Sequence, residues 1–396
     1  MKAGRLDQVS ETGHKKEAME KWLKIIVEVG FYAGAVIVAL LAGGLVMLIA
    51  GVSPFEAYRL IWDGAVGDMN SLRETLVKAT PLLFAGLCYT FAYRCGLFNI
   101  GAEGQIYIGA LTGTIAALYI PGLPAYAHLP LCIAAGAVGG ALWSGIAGAL
   151  KIGRGASEII NTIMLNYMAI YLVSYMVTGP LKEQGGSLPQ SARLPDTALL
   201  GKLFDSRLHY GFILAVIIAI VLYFILNRTV WGYEIRSVGF NKQATKVMGI
   251  PVNRNVLLVM MVSGAIAGVG GYAEIAGVQN RLFQNFSPGF GYDGIAVALV
   301  GGAHPLGNIG SAILFGGLRS GANAMQRLTG TSTSLVYVIQ ATIIILVVCN
   351  RYWFGGVKRK LIEAWMTKLG KASLSRRGDG SATAQAAFSL KKGEGN

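Results

Sequence analysis

The chain has 396 residues, of which 54% are hydrophobic and 14% charged. Soluble domains carry about 25% charged residues, so the composition excludes an ordinary soluble enzyme or binding module and indicates a polytopic membrane protein. The net charge of +14 is gathered in three segments, which marks topology and anionic lipid and gives no reason to expect nucleic acid.

In chain order, a tail at 1–24 holds six basic and four acidic residues. The apolar run from Ile25 is long enough to span and lacks a small-residue cleavage site, so it is expected to be a span and not a signal peptide. Further spans are predicted at 81–95, 102–120, 129–150, 158–178, 211–227, 256–276, 291–303, 308–326 and 334–350. With 25–50 these make ten, an all-α fold with both tails on one side. The intervening outer loops are nearly charge-balanced: 51–80 has three basic and four acidic residues, and 179–210 has four and three. The short pieces 81–95 and 291–303 are candidates for re-entrant segments. A tail at 351–396 closes the chain. From 350 on it holds ten basic and three acidic residues, and its stretch 370–396, rich in Ser, Ala, Lys and Gly, is expected to be disordered.

Two interrupted segments stand out. Residues 95–110 read CGLFNIGAEGQIYIGA and 291–317 read GYDGIAVALVGGAHPLGNIGSAILFGG, both containing the string NIG. Glycine and polar residues inside apolar runs predict broken helices, tolerated at membrane depth only against protein or a water-filled cavity. One break in each half is the pattern of a transporter with an internal repeat. Asn99, Glu103, Gln105 and Asp293 fall at these breaks, where they either cap helix ends or line a pathway. Glu274 is expected at the outer interface. The segment Ser157–Tyr175 adds Asn161, Thr162, Asn166, Tyr167 and Tyr171. Its amides either hold helices together or meet a flat, hydrogen-bonding solute.

Between spans at 211–227 and 256–276 lies a basic loop, 228–255, with five basic residues against Glu234. Lys/Arg-rich loops stay cytoplasmic, which orients the chain and puts both tails inside. Asn241 as N-cap and Gly249 followed by Pro251 as a stop predict a short helix, with Ala244, Val247 and Met248 on one face. That face packs on its own membrane domain, lies at the lipid surface, or docks into a cytoplasmic partner.

Catalytic signatures are missing. There is no HExxH, GxSxG or GxxxxGK[ST] string, and the four histidines are scattered. Cys88, Cys95, Cys132 and Cys349 lack metal-ligand spacing and read as small apolar residues. GAIAGVGG (264–271) lies within an apolar run and reads as helix packing. No metal or cofactor is expected on this chain.

The strings GLFNIGAEGQ (96–105), ASEIINTIMLNY (156–167), GYEIRSVGFNKQATKVMGI (232–250) and GYDGIAVALVGG (291–302) together resemble the permease subunits of bacterial ABC importers for nucleosides, simple sugars and branched-chain amino acids. The first two, with the long N-terminal extension, look most like the nucleoside branch. The resemblance implies about ten spans in the cytoplasmic membrane and a second permease, often a different chain. It further implies an external solute-binding protein and a cytoplasmic ATPase that binds ATP and Mg. It makes the loop a coupling region, with Glu234, Arg236, Gly239, Asn241, Ala244, Val247, Met248 and Gly249 as its residues. The family's RAxGxN string is here Arg236-Ser237-Val238-Gly239-Phe240-Asn241, a small departure. Simple sugars and branched-chain amino acids stay open as solutes, as does a secondary transporter or channel without an ATPase.

Overall fold

The computed structural model describes residues 37–49, 51–203, 206–330, 332 and 334–353, with the single positions 27, 30, 34, 364 and 365. The tail at 1–24 and the stretch 370–396 lie outside the described residues. The chain divides into a unit Gly44–Gln340 and a unit of the two ends, Met1–Gly43 with Ala341–Asn396. In the latter the described residues are helical.

The described helices are α1 (Ile37–Ile49), α2 (Pro54–Trp62), α3 (Met69–Arg94), α4 (Ala102–Tyr119), α5 (Ala125–Arg154), α6 (Glu158–Thr178), α7 (Gly211–Arg228), α8 (Val230–Phe240), α9 (Lys242–Val247), α10 (Val252–Glu274), α11 (Phe290–Val300), α12 (Pro305–Thr329) and α13 (Ser334–Trp353). No strand occurs among the described residues; isolated bridges such as Gln190 with Phe283 tie the loops at 179–210 and 277–290 together. Five helices are long and apolar enough to cross a membrane: α3, α5, α6, α7, and α10 with its π-helical extension to Gln279. The apolar window of α3 is 89% buried and that of α10 72%, against 28% in each of α5, α6 and α7. Hence α3 and α10 form the centre, with α4 beside them, and α5–α7 expose apolar faces.

Small residues set the central spacing. A Cβ on Gly264 or Gly268 would collide with the carbonyls of Gly140 or Gly136, so α10 and α5 touch backbone to backbone. The GAIAGVGG string is thus helix packing. Cys88, Cys95 and Cys132 are free and buried.

Three expectations change. The predicted span 81–95 is the second half of α3, which runs for 26 residues from Met69, N-capped by Asp68 accepting from Ser71 N at 2.6 Å. Arg73, Glu74 and Lys78 interrupt the apolar run and concealed its first turns. It is about 39 Å long, long and apolar enough to cross a membrane as one continuous helix. The two NIG strings are not equivalent: Asn99 sits in the break before α4, whereas Pro305 starts α12 ahead of Asn308. Glu274, expected at the outer interface, is the last residue of α10. It is buried and accepts from Gln279 Nε2 at 3.2 Å, because the extension of α10 carries the amide back over it.

Candidate functional site

The basic loop builds a platform from two helices. Thr229 caps α8, its hydroxyl accepting from Gly232 N at 3.0 Å. Asn241 caps α9, its Oδ1 accepting from Gln243 N and Ala244 N, each at 3.0 Å. Gly249, at φ +80°, ends the turn as only glycine does without strain. Within α9 only Thr245 is buried. Ala244 and Lys242 are exposed, Val247 is 89% exposed and Met248 61%, and Phe240 at the end of α8 is exposed beside them. The predicted apolar face is therefore uncovered and does not pack on its own membrane domain.

Two joints tie the platform to the core. Asn255 at the start of α10 accepts from Trp231 Nε1 at 2.9 Å and donates to Glu234 Oε2 at 2.9 Å. Glu234 is thus a strut between α8 and α10. Gly239 faces the last turn of α3: a Cβ there would collide with the Arg94 carbonyl, and Gly96, at φ +70°, lies directly opposite. Arg94 Nε in turn donates to Ala303 O at 2.9 Å. One short path therefore links the platform to both helix breaks, Cys95–Gly101 and Gly301–His304. Arg236 has a buried Nη1 with no hydrogen-bond partner.

Beyond the first break lies a buried polar network. Asn99 Nδ2 donates to Ser263 Oγ at 2.7 Å, and Gln105 Nε2 donates to Asn99 Oδ1 at 2.9 Å. Ser263 Oγ donates to Cys88 O at 2.8 Å. These contacts bind the break to α3 and α10. Asn166 of α6 accepts from Gly104 N at 2.8 Å and donates to Ile100 O at 3.0 Å and to the Tyr292 hydroxyl at 3.2 Å. Glu103, in the first turn of α4, accepts from Gly291 N in the first turn of α11 at 2.6 Å. One carboxylate thus meets the positive ends of two helices. Arg319 Nη2 stands 3.0 Å from Asp293 Oδ2 as an ion pair, off-line for a hydrogen bond, and its guanidinium lies over the Phe290 ring.

Of the predicted interior residues, Asn99, Glu103, Gln105, Thr162 and Asn166 are at most 2% exposed. Thr162 bonds back within its own helix, to Glu158 O at 2.7 Å and Ile159 O at 3.1 Å. The first two, with Gln105 and Asn166, come together around the break. Asp293 and Asn161 are half-buried, the latter with its Nδ2 unpartnered. Ser263, Asn255, Trp231 and Arg319 were missed. An arginine in the middle of α12 was the readable signal among them, since an ionisable group in an apolar helix marks a functional site. A cavity of about 130 Å³ is lined by Lys78, Phe290, Arg319, Asn323, Tyr337 and Gln340 among others. That is well under the roughly 300–1,000 Å³ usual for ligand pockets. Among the described residues no cluster of His, Cys, Asp and Glu could hold a metal.

Known proteins bear on this arrangement. Residues 71–348 match the family described as "Branched-chain amino acid transport system / permease component". The chain is 38% identical to the guanosine ABC transporter permease protein NupP of Bacillus subtilis (strain 168), over 82% of this chain and 95% of that protein. It is 35% identical to the glucose ABC transporter permease protein TsgB13 of Haloferax volcanii, over 80% and 86% respectively. It is 33% identical to the nucleoside ABC transporter permease protein NupB of Lactococcus lactis subsp. cremoris, over 79% and 88%. Coverage of this extent, together with membrane-length helices around a central α3 and α10, establishes that the chain belongs to the family of permease components of branched-chain amino acid transport systems.

Proposed function

We propose that this chain is the membrane-spanning permease subunit of an ATP-driven importer of nucleosides, in which α8 and α9 dock on a cytoplasmic ATPase. The observation that carries this reading is the uncovered apolar face of α9, held on a platform that abuts the end of α3. Burying Val247 and Met248 in a partner groove would contribute about 2 kcal/mol each, with Lys242 and Lys246 as a basic rim. Ten spans, both tails cytoplasmic, a second permease chain and an extracytoplasmic solute-binding protein belong to the same reading, as does placement in the bacterial cytoplasmic membrane. ATP and Mg sit on the ATPase.

In this mechanism, closure of the ATPase on ATP displaces α9. Gly239 and Gly96 have no side chains to absorb the movement, so it passes to the last turn of α3 and the break that follows. Arg94 carries it on to the second break through Ala303. Both breaks border the buried network, whose rearrangement alternates access across the membrane.

Nucleosides are favoured over other solutes by the relatives named for guanosine and nucleosides, against one named for glucose. The test is uptake of radiolabelled guanosine into vesicles carrying the full complex, competed with other nucleosides, glucose, ribose and branched-chain amino acids. Nucleosides should compete, and uptake should need ATP and survive collapse of ion gradients. Competition by glucose alone would reassign the solute. Uptake that follows an ion gradient without ATP would make the chain a secondary transporter.

A further inference from the structure

Helix α6 turns one face inward, with Thr162, Leu165, Asn166, Ala169, Val173 and Val177 buried. Its outward face is unlike those of its neighbours. On α7 the exposed large residues are Ile213, Ile217, Ile220, Val221 and Phe224, and on α5 Val138, Leu142, Ile146 and Leu150 are exposed, all suited to lipid tails. On α6 the face carries Tyr167, Tyr171 and Tyr175, each more than half exposed, with Met164, Met168 and Leu172 alongside them. Successive rings are four residues apart, a rise of about 6 Å, on one side of the helix.

Depth makes this face unusual. The 21 residues of α6 span about 31 Å, matching a hydrocarbon core of about 30 Å. Tyr167 and Tyr171 lie within about 5 Å of its midpoint. Tyrosine belongs at the membrane–water interface, where its hydroxyl is wet. Two phenols at this depth, with a third about 10 Å from the midpoint, favour protein or a polar cavity beside them. The row also borders the polar network: Asn166 donates to the hydroxyl of Tyr292, itself part-exposed.

We infer that Tyr167, Tyr171 and Tyr175 form a stacking rail for the base of the transported nucleoside and line a water-filled path along α6. This rests on the nucleoside reading above. An aromatic ring stacks on any base, so the rail would pass purines and pyrimidines alike. The ring spacing lets a base leave one ring as it reaches the next. The hydroxyls face the ribose and water.

The experiment compares Tyr167→Leu/Tyr171→Leu with Tyr167→Phe/Tyr171→Phe in the reconstituted full complex, measuring guanosine uptake, co-purification of all subunits and photolabelling by 8-azidoguanosine. Loss of a base–aromatic stack is worth roughly tenfold or more per ring. The leucine variant should therefore assemble normally but lose at least about tenfold in uptake, together with labelling of α6. The phenylalanine variant should keep both. Unchanged uptake in an assembled leucine variant would make the face lipid-exposed and overturn the inference. Loss of the second permease from the leucine complex would make it a subunit contact and overturn it equally. A wild-type complex that carries no nucleoside would sink the proposed function itself, a result read before any variant is made.

Discussion

Two regions meet at the last turn of α3, and they treat their side chains in opposite ways. Around the break at Cys95–Gly101, amides and a carboxylate are buried and bonded, with Asn99, Gln105 and Asn166 each finding partners on other helices. On the platform, Val247, Met248 and Phe240 are apolar and uncovered. A hydrocarbon surround penalises an unpaired polar group, and water penalises an exposed apolar one. The first region is therefore complete within the chain, while the second leaves its apolar face uncovered. Substitutions should separate them: inward changes should cost stability, and outward changes should cost function with little loss of stability.

The largest loss of stability is expected for Asn99→Leu. It strips the partner from Gln105 Nε2 and Gly101 N and one of the contacts from Ser263 Oγ, and each buried group left unpaired costs about 1–3 kcal/mol. Thermal unfolding in detergent should shift down sharply, and an unchanged midpoint would mean the network is not a structural unit. A comparable loss should follow acidification through His209. Burial pushes its imidazole down from 6.5 to about 4, and the neutral ring accepts from Gly211 N at 3.1 Å. The folded state therefore binds fewer protons than the unfolded one. Its stability is complete above about pH 6.5 and falls as the pH drops to about 4, by about 3 kcal/mol in all. His209→Gln should flatten that part of a melting-versus-pH curve. Gly239→Val comes next, because overpacking against the Arg94 carbonyl costs about 1–3 kcal/mol. It should impair uptake beyond its effect on melting, since it shifts the joint itself; equal uptake per folded molecule would remove the joint from the mechanism. Val247→Asp is expected to change stability least, within about 0.5 kcal/mol.

The same contrast explains what could be read from the sequence. The short helix α9 was legible because its signals are local: Asn241 caps it, and Gly249 and Pro251 stop it. So were α6 and α7, whose apolar runs end at clear breakers. The start of α3 was not, because Arg73, Glu74 and Lys78 occupy its early turns and hydropathy alone cannot see a helix that begins outside the apolar zone. Asn99 and Glu103 could be picked out as polar residues at a break. Their partners Ser263 and Gly291 could not, because those contacts join positions more than 160 residues apart. The notable polarity of α6 was visible, but its division into a buried amide face and an exposed tyrosine face depends on what packs beside the helix. Both NIG strings looked alike in the sequence, but Pro305 starts α12 ahead of the second and so puts that string inside a helix.

The central claim is that the uncovered face of α9 couples this permease to an ATPase, and the direct test is Val247→Asp/Met248→Asp in the full complex. Subunit co-purification, ATP hydrolysis stimulated by the loaded binding protein, and guanosine uptake are measured on the same preparation. A folded, membrane-inserted permease that no longer retains or stimulates the ATPase and no longer imports is the expected result. Intact stimulation and intact uptake in that double variant would contradict the account.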